Sequence, residues 1–217
     1  MNRQGSLRKE IPMRGLCKKS IVVMTAGLWL AACDVAAADP QAREASLTEQ
    51  DQQMLSWCRE AAAKMVVVME RWVRAGAVTE EQLFAERYTP IPNTDPQKFH
   101  TDYDRLSDNE IGPIEEVYVA KAREIAYLVL VDRNGYLPTH NRKYTQPLTG
   151  DKQRDLMGNR TKRKFDDPIG LAQARNTKPY LMQSYARDTG ETMKAVAVPI
   201  VLFGKHWGAL RVGYYTR

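Results

Sequence analysis

The chain has 217 residues, enough for one domain with a true hydrophobic core or for two small ones. Its composition, 43% hydrophobic and 27% charged, is that of a globular protein and excludes general disorder. The formal charge of +6 sits at one end: in residues 1–33, Arg3, Arg8, Lys9, Arg14, Lys18 and Lys19 face Glu10 alone, so the remainder is nearly neutral and lacks the positive footprint a nucleic-acid partner needs.

Lys18 and Lys19 precede an apolar run from Ser20 to Ala32. The run is shorter than the roughly 20 residues that span a bilayer, which disfavours an uncleaved anchor and fits the apolar core of an export signal. Met13 is an alternative start, since residues 13–33 alone form a more ordinary leader. Two exits fit. Leu30-Ala31-Ala32-Cys33 resembles a bacterial lipobox, with Cys33 lipidated at the mature N-terminus, and Ala36-Ala37-Ala38 resembles an ordinary cleavage site. A cysteine at the end of the apolar run favours the lipobox. Residues 1–33 are thus expected to be a signal peptide and the Ala-rich residues 34–46 a tether to residues 47–217. Asp34 after Cys33 matches the enterobacterial inner-membrane retention pattern. The expected location is the periplasmic side of the inner membrane through a lipid anchor, or the soluble periplasm if the second exit is used.

Ser46-Leu-Thr-Glu-Gln-Asp51 carries cap and first-turn signals for a long helix, ended at Gly76. Leu47, Met54, Cys58, Met65, Met69, Trp72 and Val73 recur at three- and four-residue steps along it. Cys58 is the one cysteine beyond Cys17 and Cys33, so it has no internal disulfide partner and reads as core. A shorter helix is expected from Val78 to Arg87, and an irregular stretch follows, with Pro90, Pro92 and Pro96. Residues 101–123 read as helix broken near Gly112-Pro113, and Ile125–Val131 as a central strand covered on both faces. Asp132–Gly135 supplies a turn into a short partner strand, Tyr136–His140. Residues 141–168 read as a long charged excursion, functional or disordered. After a helical turn at 169–175, Pro179–Arg187, Thr192–Phe203 and His206–Tyr215 form an antiparallel meander. Helices first and sheet after them is the α+β class.

Chemistry-bearing signatures are sparse. His100, His140 and His206 show no metal or c-type haem spacing, and no P-loop, dinucleotide or G-x-S-x-G pattern occurs, which lowers the case for an enzyme. The richest polar cluster is Asn159-Arg160-Thr161-Lys162-Arg163. Strand alternation would point Arg160 with Lys162, or Thr161 with Arg163, inward together. Leu181, Gln183, Tyr185 and Arg187 share one strand face, polar enough to meet water or line a pocket for a small polar ligand such as a carboxylate.

Asn134-Gly135-Tyr136-Leu137-Pro138-Thr139-His140-Asn141, Gln146–Asp151, Asn159–Arg163, Arg187–Glu191 and Gly204–Gly208 follow one another in a fixed order. Together they resemble the periplasmic sensor domain of a group of bacterial methyl-accepting chemotaxis proteins, PAS-like domains of the single-Cache type. The likeness spans roughly residues 47–215 and is densest from Asp132 onward. It implies a long N-terminal helix, a central antiparallel sheet, and a ligand cavity lined from His140, Arg160, Thr161, Arg163, Gln183, Tyr185 and Trp207. It implies a non-enzymatic ligand-binding or sensory module without a cofactor. Some relatives hold c-type haem through C-x-x-C-H, which is missing here, so a haem- or redox-sensing alternative would use His140 or His206 without covalent attachment. Chemotaxis receptors continue into a second membrane helix and a cytoplasmic coiled coil, whereas this chain ends after its last strand. The expectation is therefore a stand-alone copy, signalling through a separate membrane partner.

Overall fold

The structure, a computed structural model, describes residues 46–186, 190 and 192–216. The leader, the lipobox at Cys33 and the tether up to residue 45 lie outside the described residues, as do Arg187, Asp188, Thr189 and Glu191.

Helix α1 (Glu49–Arg74) begins where the cap signals place it. Thr48 Oγ1 accepts the Asp51 N–H at 3.1 Å, and the Asp51 carboxylate accepts the Thr48 N–H at 3.4 Å. Asp51 also accepts from Lys194 Nζ at 2.9 Å and from the Tyr214 hydroxyl at 2.6 Å, which pins the helix start to the sheet. The expected stripe is the buried one: Met54, Cys58, Met65, Met69 and Trp72 all face inward. Burial of Met65 and Met69 contributes about 1.5–3 kcal/mol each. Cys58 is fully buried, and burial pushes its thiol up to about 12, so it is a core residue and not a reactive one.

Helix α2 (Glu80–Leu83) is one turn, shorter than the sequence suggests. The proline-bearing stretch is more regular than expected: β1 (Thr89–Ile91) and β2 (Lys98–His100) form an antiparallel ribbon. Helix α3 (Asp104–Leu106) runs through a π-turn at Ser107–Ile111 into α4 (Gly112–Val119). The break foreseen at Gly112-Pro113 is this widened turn, which accommodates a residue with no N–H to donate.

Strands β3 (Ile125–Asp132), β4 (Leu181–Ala186), β5 (Thr192–Leu202) and β6 (Lys205–Tyr214) make an antiparallel sheet in the order β3-β6-β5-β4. The class is α+β. Despite its unbroken apolar run, β3 is an edge strand. It is buried on both faces, and side chains cover its free edge: Asn141 Oδ1 accepts the Leu128 N–H at 3.0 Å and Glu115 Oε1 the Leu130 N–H at 2.9 Å. Residues 136–140 form no strand; Tyr136 makes a single bridge to Lys164.

The two faces of the sheet differ. Leu128, Leu130, Val196, Val198, Ile200, Leu210, Val212 and Tyr214 pack with α1 in the main core. The opposite face carries Tyr127, Val129, Ala195, Ala197, Ala209, Arg211 and Gly213 and is covered by the 141–175 excursion. That excursion is ordered, with a 3-10 turn at Arg142–Tyr144, helix α5 (Lys152–Gly158) capped by Asp151, and helix α6 (Pro168–Ala174) capped by Asp167.

Candidate functional site

Small side chains at the middle of the second face leave room above the sheet. Across the strands, one row reads Tyr127, Gly213, Ala195, Gln183 and the next Val129, Arg211, Ala197, Leu181. The Tyr127 ring occupies the space that a Cβ on Gly213 would need, and its hydroxyl hydrogen-bonds the Tyr185 hydroxyl on β4. The result is a hollow of about 370 Å³, within the range of small-molecule sites. Its floor is Tyr127, Val129, Tyr185 and Arg211, and its roof is Leu137, His140, Arg160, Phe165 and the start of α6.

The roof is held by pairing between segments distant in sequence. Leu137 N donates to Arg163 O at 2.9 Å, Lys162 N to Leu137 O at 2.8 Å, Phe165 N to Gly135 O at 2.8 Å, and Phe99 N on β2 to Lys162 O at 2.8 Å. Gly135, at φ +79°, allows this approach, because a Cβ there would collide with the Phe165 carbonyl. Lys162 itself takes φ +58°, and this left-handed residue breaks the strand alternation. Arg160 and Arg163 therefore go together, which corrects the pairings expected from alternation. Their guanidinium groups lie 5.0 and 4.9 Å from the Phe165 ring centre, and both donate to the Leu156 carbonyl near the C-terminus of α5.

Behind this loop sits Lys98, 4% exposed, whose ammonium donates to Asn159 Oδ1 at 2.7 Å, Asn159 O at 3.0 Å and Thr161 O at 2.7 Å. Burial, and then the neighbouring positive charge of Arg163 and Lys162, pushes Lys98 down to about 7.

Of the residues expected at the site, the structure brings His140, Arg160 and Tyr185 together in the cavity wall. Arg163 lies behind Arg160 against Phe165. Thr161 points to a separate cleft, bounded also by Asp108, Glu116, Thr139 and Arg142, and has a buried Oγ1 without a hydrogen-bond partner. Gln183 is on the cavity face of β4 but does not bound the hollow. Trp207 is on the other side of the sheet, in the main core, donating from Nε1 to Leu83 O at 2.8 Å. By count Trp207 shares the phase of Arg211, but the register shift between Ile200–Gly208 and Val201–His206 interrupts the alternation there and turns Trp207 to the core side.

His140 is buried, tilted against Tyr144 at 4.8 Å between ring centres, and its Nδ1 accepts the Asn141 N–H at 2.7 Å. The ring proton of neutral His140 is thereby placed on Nε2. Among the described residues, no group of three or more His, Cys, Asp or Glu side chains is placed to hold a metal ion.

Sequence reasoning missed Arg211. It is 6% exposed at the centre of β6, lines the cavity, and its Nε has no hydrogen-bond partner. The signal was there in the sequence: one charged residue in Trp207–Tyr214, in phase with Ala209 and Gly213. Among the described residues Asp167 is the one acid on the cavity wall, and its Oδ1 accepts the Ile169 and Gly170 N–H groups at 3.0 Å each. No ion pair joins it to Arg211.

No protein-family model matches the chain, and no curated protein matches it. One solved structure to which it is similar is an extracellular ligand binding receptor from Desulfohalobium retbaense DSM5692, at 13% identity and a TM-score of 0.36. The match covers 75% of this chain and 25% of the receptor, so the chain spans about a quarter of that protein. No described helix is long and apolar enough to cross a membrane.

Proposed function

We propose that this chain is a non-enzymatic, small-ligand-binding sensory module of the PAS/Cache type, exported and tethered to the periplasmic side of a bacterial membrane through Cys33. The observation that carries the reading is the hollow between sheet and roof, in which apolar walls surround a few convergent polar groups, Arg211, Arg160, His140 and the Tyr127–Tyr185 hydroxyl pair. The motif series from Asn134 to Gly208 supports it, because two of its segments bound the hollow, the first through Leu137 and His140 and the third through Arg160. Ligand occupancy would act on the roof, whose 160–165 segment is clamped by β2 on one side and by residues 135–137 on the other. A separate membrane partner would read that change.

His140 in the cavity wall favours one competing reading, non-covalent haem or redox sensing. A thermal-shift panel on the full chain, purified in detergent, separates the two. Small polar organic molecules should raise the melting temperature through selective binding to the folded state, and haemin should give no Soret shift. A haem spectrum lost in His140→Ala would replace the proposal, and a panel without any stabilising compound would remove it.

A further inference from the structure

Arg211 is an arginine in the middle of a buried strand whose Nε has no hydrogen-bond partner, and among the described residues no carboxylate or carbonyl is hydrogen-bonded to it. A buried guanidinium is strongly disfavoured unless it is paired, and mid-sheet positions on a covered face are ordinarily apolar. Its row neighbours on the sheet are Val129 and Ala197, which offer no polar atoms from their side chains. Asp167, on the same cavity wall, uses its Oδ1 to cap the first turn of α6 and is not hydrogen-bonded to Arg211. Arg160 brings a second positive charge to the wall, already stacked on Phe165 and hydrogen-bonded to Leu156 O. Besides His140, the rest of the lining is flat or apolar, chiefly Tyr127, Tyr185, Phe165, Leu137, Val129 and Ile169.

We infer that the ligand is an organic carboxylate with a flat apolar body, its carboxylate seated on Arg211 and its body between the Tyr127–Tyr185 floor and the Phe165 roof. This rests on the sensory reading and adds its ligand class and anchoring residue. A guanidinium fork offers two parallel N–H donors that match the two oxygens of a carboxylate, and burial of Arg211 strengthens that pairing. Phosphorylated compounds carry a larger, doubly charged head that needs more free donors than Arg211 alone offers, since Arg160 is already stacked on Phe165 and hydrogen-bonded to Leu156 O. Simple inorganic anions would leave the aromatic walls without contact.

If Arg211 exists for a ligand, the empty protein bears an uncompensated buried charge, and its removal should strengthen the fold. If Arg211 is structural, its removal should weaken it. The test is titration calorimetry on the full chain with matched pairs, benzoate against benzamide and phenylacetate against phenylacetamide, with benzylamine as the cationic control. The acids should bind roughly 10-fold to 100-fold more tightly than their amides. Arg211→Met should erase that preference while raising the melting temperature of the unliganded protein. Arg211→Lys, which keeps the charge and loses the fork, should retain a reduced preference.

Amides or benzylamine binding as well as the acids would overturn the inference while leaving a sensory cavity standing. An Arg211→Met variant that melts lower or fails to fold would overturn it too, by making Arg211 a structural residue. Failure of every compound, charged and neutral, would bring down the sensory reading along with it. The acid-to-amide comparison on the unaltered protein needs no variant.

Discussion

Glu115 shows how a single side chain can serve a strand edge at the expense of its own charge. It is fully buried on α4; one carboxyl oxygen accepts the Leu130 N–H at 2.9 Å and the other has no partner. Burial, the dominant influence, raises its carboxyl well above the ordinary value of 4.5. The unfolded chain sheds this proton near 4.5 while the folded protein keeps it, so stability falls as pH climbs from there through the folded value. Glu115→Gln keeps the acceptor and removes the proton, and should be stabilising at pH 8 but nearly neutral at pH 4.5. Glu115→Ala leaves the Leu130 N–H bare and should cost about 1–3 kcal/mol at either pH. Urea midpoints across that range check both; an unchanged pH slope in Glu115→Gln would show that the carboxyl is not the titrating group.

Among the elements, the β1–β2 ribbon is the least legible in sequence and the one that sets the roof. Three prolines argued for irregular chain, yet a two-stranded ribbon needs only three residues a side and tolerates Pro90 on an open edge. From it, Lys98 reaches across to grip the 159–161 backbone. Arg163, Lys162 and Arg160 surround that ammonium with positive charge, and Asp155 offers weak compensation. Since Lys98 is pushed to about 7 in the folded protein and titrates near 10.5 when unfolded, the unfolded state holds the extra proton between those values. Stability should therefore rise with pH through that window, and Lys98→Met should flatten the rise. Chemical denaturation of both proteins at pH 6.5 and 9 measures the difference; parallel profiles would place the Lys98 transition elsewhere. The long helix and the C-terminal meander, by contrast, were legible. A period of 3.6 runs through Met54–Trp72 and a period of 2 through β4–β6 up to the register shift at Ile200–Val201, and Thr48 with Asp51 signs the helix start. The left-handed turn at Lys162 has no such sign, because lysine has no preference for it, and that one residue decides which arginines travel together.

At the scale of the whole molecule, the α+β class and the order of its parts follow from the chain's own patterning. Whether a strand sits at the edge or the centre does not, because β3 is buried on both faces in either place. The cavity follows from what is missing as much as from what is present. Ala195, Ala197, Ala209 and Gly213 add little bulk to the second face, which leaves Tyr127, Val129, Tyr185 and Arg211 as the floor, while the excursion packs into a roof over them. Composition alone presents that excursion as a solvated charge run. The account stands on ligand entry into this space and nowhere else. Hydrogen exchange on the full chain with and without saturating benzoate tests it most directly: the expected result is slowed exchange of roof amides from Arg160 to Gly170, with α1 unchanged. Slowing confined to the second cleft, at Asp108–Glu116 and Arg142–Thr145, or no slowing at all, would contradict it.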